Sequence, residues 1–143
     1  MSLIGWYKTR IKLDMMQKYG LNIETHPNFE LLRKSIEIVA KKHNGEIRFH
    51  VVDALGREKK CDIAFATPDF SRGIGIKIDR NTGELYFLYD KYDDVSNIAK
   101  KLSGEVLQHY TAIALINAMK AYGYNVREDE TQERDAIILI SEV

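Results

Sequence analysis

The stretch at residues 74–89, IGIKIDRNTGELYFLY, decides the fold of this chain. Apolar side chains occupy alternate positions on both sides of a central turn, which is the pattern of two strands with one buried face. These side chains are Ile74, Ile76 and Ile78 before the turn and Leu85, Phe87 and Tyr89 after it. The turn runs from Asp79 to Gly83 and contains Asn-Thr-Gly, which favours a short connection. The stretch therefore predicts an antiparallel β-hairpin.

A long helix is predicted directly after this hairpin. From Asp93 or Asp94 to Tyr122, apolar residues recur every three or four positions, and about 28 helical residues would span roughly 40 Å. The apolar stripe consists of Val95, Ile98, Leu102, Val106, Tyr110 and Ile113. The second half of the helix is apolar on nearly all sides, so a second neighbour besides the sheet has to cover it.

The segment before the hairpin predicts one helix and two further strands. Asn28 is a candidate cap for the helix, which ends at Asn44-Gly45. Period-two alternation then indicates a sheet with one wet face. The alternating apolar sets, each predicted to share a face, are Ile47, Phe49 and Val51 in one strand and Cys61, Ile63 and Phe65 in the other.

The N-terminal segment Leu3–Tyr19 fits two alternatives. A helix is the first choice, because apolar residues recur at three- and four-residue steps. They are Ile4, Tyr7, Ile11, Met15 and Tyr19. A strand is the alternative, because Tyr7, Thr9, Ile11 and Leu13 alternate with cations.

Together these segments predict a single α+β domain over residues 1–143. We expect an antiparallel sheet of about five or six strands, with the long C-terminal helix and one or two N-terminal helices packed on one face. A second hairpin, formed by residues 124–126 and 136–140, is predicted to close the chain.

Charge and cysteine usage limit the classes of partner. Lysine plus arginine and aspartate plus glutamate each number 21, so the chain as a whole has no attraction to nucleic acid or anionic lipid. The single cysteine, Cys61, excludes an internal disulfide and a cysteine-based zinc site. No apolar run approaches the roughly 18 residues of a membrane span, and no signal peptide is recognisable. We therefore expect a cytoplasmic protein with no membrane partner.

Several residues of the second half resemble a known family. Gln108, Tyr110, Asn117, Gly123, Tyr124 and Val126 have the family's spacing, and the segments 62–65 (DIAF) and 83–86 (GELY) are similar to its earlier strand and hairpin. Over residues 61–140 the chain thus resembles the conserved family named after a hypothetical open reading frame of algal chloroplasts, also found in cyanobacteria. The resemblance implies a related fold. It implies no substrate, cofactor or catalytic residue, because that family is a domain of unknown function.

No catalytic residue, cofactor site or metal site is predicted. Cys61 shares the apolar phase of its strand, which favours a core residue over a nucleophile. The four histidines lack the spacing of paired metal ligands. Acidic residues before the long helix, Asp90, Asp93 and Asp94, are predicted to cap it. The loop at residues 67–75 is interpreted as a strand connection, because no helix follows it to form a phosphate site.

Protein association, as a homodimer or accessory subunit, is the function predicted first. It is favoured by the apolar surplus in the second half of the long helix. The candidate interaction residues are Ile113, Leu115, Ile116, Met119 and Tyr122.

Two other functions stay open. One is a small-molecule or nucleotide site between helix and sheet, with or without catalysis, for which His50, Asp62, Arg72 and His109 are weak ligand candidates. The other, less expected at zero net charge, is nucleic-acid binding by a basic, aromatic N-terminal surface. Its residues are Trp6, Tyr7, Lys8, Arg10 and Lys12.

Overall fold

Five strands form one antiparallel sheet in the computed structural model, which describes residues 4–13, 23, 26–91, 96–123, 125–131 and 136–142. The strands are β1 (Ile4–Lys12), β2 (Glu46–Val52), β3 (Glu58–Thr67), β4 (Phe70–Ile78) and β5 (Glu84–Asp90), in the order β1-β5-β4-β3-β2. The helices are α1 (Pro27–Lys42) and α2 (Ile98–Ala121). Strands β6 (Asn125–Thr131) and β7 (Ala136–Glu142) form a separate antiparallel pair. The predicted α+β class and the C-terminal hairpin are confirmed.

Both helices contribute to one apolar core with the sheet. Helix α1 contacts β2 and β3, α2 contacts β4, and the two helices contact each other. The core is lined by Leu32, Ile36 and Val39 from α1, by Leu102 and Val106 from α2, and by Ile63, Phe65, Ile74, Ile76 and Phe87 from the sheet. One face of the sheet is therefore covered by the helices. The buried residues on the opposite face form a separate, smaller cluster.

Residues 4–12 form strand β1, so a helix over this part of Leu3–Tyr19 was the wrong choice and the alternative strand is confirmed. The strand pairs with β5, and Tyr7 and Ile11 pack against the core. The ring of Tyr7 stacks on Tyr89, with 4.3 Å between the ring centres. Aromatic and β-branched residues favour such a paired, half-buried strand. Residues 14–19 of that prediction lie outside the described residues.

Helix α1 begins one position before the predicted cap. His26, rather than Asn28, is the N-cap, and its Nδ1 accepts a hydrogen bond from the backbone N–H of Asn28 at 3.1 Å. Pro27 occupies the first helical position, where its missing N–H costs nothing. The helix ends at Lys42 and Asn44 adopts a positive φ of 58°, which confirms the predicted stop.

Strands β4 and β5 form the predicted hairpin. Ile76 lies opposite Phe87 in the ladder. The side chain of Asp79 accepts hydrogen bonds from two backbone N–H groups of the turn, and Gly83 ends it with a φ of 77°. An L side chain at Gly83 would be strained in this conformation.

The β2–β3 pairing contains a register shift that moves side chains between faces. Ile63 and Phe65 lie in the main core, but Cys61 packs with Val51 in a separate cluster on the opposite face. The prediction that Cys61 shares a face with Ile63 and Phe65 is therefore wrong, as is the grouping of Val51 with Ile47. A β-bulge adds residues to one strand only, and this breaks the period of two.

Helix α2 begins at Ile98, later than predicted from Asp93 or Asp94, and has 24 residues. Asn97 precedes it with a φ of 57° and makes no side-chain cap bond, and the first turn contains no acidic residue. Asp93 and Asp94 lie outside the described residues, whereas Asp90 is fully buried at the end of β5. Capping of α2 by Asp90 is therefore wrong. None of the helices in the described part is long and apolar enough to cross a membrane.

Gly104→Ala is expected to raise the free energy of unfolding by about 1 kcal/mol, because alanine restricts the unfolded chain and favours a helix. Gly104 lies in the interior of α2, where an added Cβ would have no atom within 4 Å. Urea denaturation of both proteins measures the difference. A loss of stability would show that this position requires a backbone that alanine cannot adopt.

Candidate functional site

Two of the four weak ligand candidates are held in ion pairs. Asp62 accepts a hydrogen bond from the backbone N–H of Ile78 at 2.7 Å and from Arg80 Nη1 at 3.2 Å. Arg72 donates from Nη1 to Oδ2 of the fully buried Asp90 at 3.0 Å. Both contacts link neighbouring parts of the fold, which is a structural use of these charges.

The other two candidates lie elsewhere. His50 is on the edge strand β2, with Nε2 3.7 Å from Glu58 Oε1. His109 is buried in α2, and its Nδ1 has no hydrogen-bond partner among the described residues. A cleft of about 310 Å³ opens between the α1–β2 connection and the β3–β4 turn, and none of these four side chains lines it. The structure does not bring the four candidates together into one site.

The five candidate interaction residues of α2 are unequally exposed. Ile116 is buried, and Ile113 and Met119 are half-buried. Leu115 is 47% exposed and Tyr122 is 84% exposed. Strands β6 and β7 contact α2 and so provide neighbours in addition to the sheet. An apolar strip with Leu115 and Tyr122 remains exposed.

The sheet face opposite the helices has a buried floor made mostly of small side chains. Ala64, Leu88, Val51 and Cys61 form a buried cluster there. Gly75 lies among them, since a Cβ at this position would be 2.3 Å from Cys61 Sγ and 3.1 Å from Val51 Cγ1. Strand β2 contacts β4 and β5 as well as its neighbour β3. The sheet is therefore curled, and the absence of a side chain at Gly75 permits this close approach.

Two aromatic rings and one lysine lie above this floor. Trp6 is 48% exposed, and its ring makes a T-shaped contact with that of Tyr86, with 5.9 Å between centres and 70° between planes. Trp6 is on β1 and Lys59 is on β3, and strands β5 and β4 lie between them in the sheet. Lys59 Nζ lies 5.2 Å from the centre of the Trp6 ring. This is the geometry of a cation–π contact.

Further cations surround these rings. Lys77 lies opposite Tyr86 in the β4–β5 ladder, and Lys8 lies opposite Tyr86 in the β1–β5 ladder. Lys12 lies opposite Glu84 in the β1–β5 ladder. Exposed and half-buried residues alternate along β1, and the four exposed residues point away from the core. They are Trp6, Lys8, Arg10 and Lys12. We name the surface formed by Trp6, Lys8, Lys12, Lys59, Lys77 and Tyr86 the outer face.

Glu84 is an acidic residue among these cations. Its Oε2 lies 3.3 Å from Lys8 Nζ and accepts a hydrogen bond from the Tyr86 hydroxyl at 2.7 Å. The hydrogen bond from Tyr86 and, second to it, the one from Lys8 lower the pKa of Glu84. The hydrogen bond between Tyr86 and Glu84 also raises the pKa of Tyr86. Glu84 therefore stays ionised and fixes the orientation of the Tyr86 ring beside Trp6.

The thiol of Cys61 lies in the floor, where burial raises its pKa to about 11. We expect native protein to react slowly with iodoacetamide at pH 8 and faster as the pH approaches 11, because the thiolate is the nucleophile. Protein unfolded in urea is the control, since its thiol ionises near pH 9. The folded thiol keeps its proton to a higher pH than the unfolded thiol. The free energy of unfolding therefore falls as the pH rises from about 9 to about 11. Equal rates for native and unfolded protein at pH 8 would contradict the assignment.

Sequence reasoning identified only half of the outer face. Trp6, Lys8 and Lys12 were candidates, but Lys59, Lys77 and Tyr86 were missed. For Lys77 and Tyr86 a signal existed, because they occupy the polar phase of the predicted hairpin. The position of Lys59 depends on the register shift in β3 and on the curl of the sheet, neither of which has a local signal.

The described residues contain no group of three His, Cys, Asp or Glu side chains placed to hold a metal ion. The resemblance to the chloroplast family stays a prediction. No known family model, curated protein or solved structure matches this chain.

Proposed function

We propose that this protein binds nucleic acid through the outer face of its sheet. The observation that carries the proposal is the gathering of two aromatic rings and four lysines on one side of a curled sheet. Lysines contact phosphates and aromatic rings contact bases, so this combination of side chains is typical of nucleic-acid surfaces.

The zero net charge of the chain is compatible with this proposal because the cations are concentrated locally. Lys8, Lys12, Lys59 and Lys77 lie on the outer face, and one of them, Lys8, pairs with Glu84. Attraction from such a patch acts over about one Debye length, roughly 8 Å at physiological salt. We therefore expect binding that depends strongly on salt concentration.

The proposal is tested with Lys8→Ala combined with Lys77→Ala. We expect the affinity for an oligonucleotide to fall about tenfold. We also expect the dependence of log K on log salt to become shallower by about 1.4, since each phosphate contact contributes about 0.7 for a single strand. The fold should persist, because Lys8 is exposed and its ion pair with Glu84 adds little stability.

Lys34→Ala combined with Lys101→Ala removes the same charge from exposed positions of the two helices and serves as the matched control. Fluorescence anisotropy of a labelled oligonucleotide measures its affinity for the wild type and for the two double variants. Equal weakening by the two pairs of substitutions would show that binding depends on total charge and not on the outer face. A wild-type protein that fails to bind at 20 mM salt, a concentration of about one-seventh of the physiological value, would remove the proposal.

Self-association is a second candidate, favoured by the exposure of Leu115 and Tyr122 at the end of α2. An exposed apolar strip of this kind is a common protein-binding surface. Light scattering at micromolar concentration tests it, with Leu115→Lys as the variant that should shift a dimer to monomer. A wild-type monomer that recovers no partner in a pulldown would exclude both the homodimer and the accessory subunit. Either function fits the cytoplasmic location expected from the single cysteine.

A further inference from the structure

We infer that the ligand of the outer face is a single strand, one base of which stacks on Trp6 in the place that Lys59 occupies in the free protein. This inference rests on the proposed function and specifies its ligand. The half-exposed Trp6 ring makes a T-shaped contact with Tyr86, and the Lys59 ammonium lies over one of its flat faces, 5.2 Å from the ring centre. That face is therefore accessible to a group arriving from solution.

The exchange of Lys59 for a base is favourable because the base forms the stronger contact with the ring. An exposed cation–π contact changes an equilibrium constant about 2- to 5-fold. Stacking of a base on an aromatic side chain changes it about 5- to 150-fold. Lys59 is itself exposed and lies one residue from the start of β3, so its side chain is able to leave the ring. Once displaced, its ammonium is close to the phosphates that flank the stacked base.

The ring that receives the base is already oriented. Glu84 accepts a hydrogen bond from the Tyr86 hydroxyl at 2.7 Å, and Tyr86 in turn makes a T-shaped contact with the Trp6 ring. A fixed ring loses little conformational entropy on binding, which favours stacking.

A duplex is a poorer ligand for this arrangement. Its bases are already stacked on each other, so it offers only phosphates unless a base is flipped out, which costs unstacking and unpairing free energy. A single strand offers both phosphates and unstacked bases. The combination of a stacking ring with surrounding lysines therefore selects single strands over duplexes of the same charge density.

The inference is tested with three ligands of equal length: a thymidine oligonucleotide, the corresponding abasic strand and a duplex. Trp6 is the only tryptophan of the chain, so its emission reports stacking directly. We expect the thymidine strand to quench Trp6 and to bind about tenfold more tightly than the abasic strand, a ratio that corresponds to about 1.4 kcal/mol. We expect the abasic strand to bind without quenching.

Two variants test separately whether the Trp6 ring stacks on a base and whether Lys59 moves to a phosphate. Trp6→Leu should lower the affinity for the thymidine strand to that of the abasic strand and leave the abasic affinity unchanged. Lys59→Gln should retain quenching but make the salt dependence for the thymidine strand shallower by about 0.7, because one phosphate contact is lost. Anisotropy of labelled ligands supplies the affinities, and circular dichroism checks that both variants fold.

The outcomes separate this inference from the proposed function. If none of the three ligands binds, the proposed function fails. If all three bind equally and Trp6 emission does not change, the outer face binds phosphates and the stacking inference is wrong. A salt dependence of Lys59→Gln equal to that of wild type would show that Lys59 does not move to a phosphate, which also overturns the inference.

Discussion

Arg72→Met is expected to lower the free energy of unfolding by about 3 kcal/mol, because it removes a charge partner of a buried carboxylate. Asp90 is fully buried, and Arg72 Nη1 lies 3.0 Å from its Oδ2. A buried carboxylate that loses such a partner keeps its desolvation cost and loses the compensating attraction. Arg72 itself is about one-third exposed, so the expected loss is at the lower end of the range for buried pairs.

Urea denaturation measures this loss, and Arg48→Met is the matched control. Arg48 pairs with the exposed Glu46 and donates to the exposed Ser71 carbonyl at 2.9 Å, so its loss should cost about 1 kcal/mol or less. Combining Arg72→Met with Asp90→Asn should recover about half of the stability, because the buried charge is then absent. If Arg72→Met and Arg48→Met were equally mild, Arg72 would not be the main partner of Asp90.

Gly75→Ala is expected to lower the free energy of unfolding by about 2–3 kcal/mol, because the added methyl group has no space. Its Cβ would lie 2.3 Å from Cys61 Sγ and 3.1 Å from Val51 Cγ1. Both neighbours are buried in the floor of the outer face, so relief requires a shift of the strands themselves. The curl of the sheet should change with it.

Thermal and urea denaturation of Gly75→Ala, with Gly104→Ala as the control, test this prediction. The two substitutions are chemically identical, but Gly104 has open space around it and Gly75 does not. Adding Cys61→Ala to Gly75→Ala should give a favourable coupling of at least about 1 kcal/mol, since the closest contact is removed. A neutral Gly75→Ala would mean that Cys61 and Val51 do not close over this glycine.

Much of the fold could be predicted because it depends on local signals. The turn at residues 79–83 and the alternation on either side of it predicted β4 and β5 correctly. The four-residue spacing of Leu102, Val106 and Tyr110 predicted the buried side of α2. The identity of β1 could not be decided in this way, since Tyr7 and Ile11 fit a helical stripe and a strand face alike. Only pairing with β5 distinguishes the two.

The candidate site was less predictable than the fold. A strand places alternate residues on one face, so once residues 4–12 are a strand, Trp6, Lys8 and Lys12 face outward together. Their neighbours on that face come from distant parts of the chain. Tyr86 and Lys77 are brought to them by the order of the strands, and Lys59 by the bulge and curl that end the regular alternation of β3.

The sequence by itself therefore determined the class of fold, the β4–β5 hairpin, the two helices and the C-terminal hairpin. Each of these follows from the periodicity of neighbouring residues and from turn residues between them. The tertiary structure alone decided that residues 4–12 pair as a strand, that Cys61 faces away from the core, and that Lys59 meets Trp6. These features depend on hydrogen bonds and contacts between residues far apart in sequence, and a bulge that shifts register leaves no periodic trace in either strand.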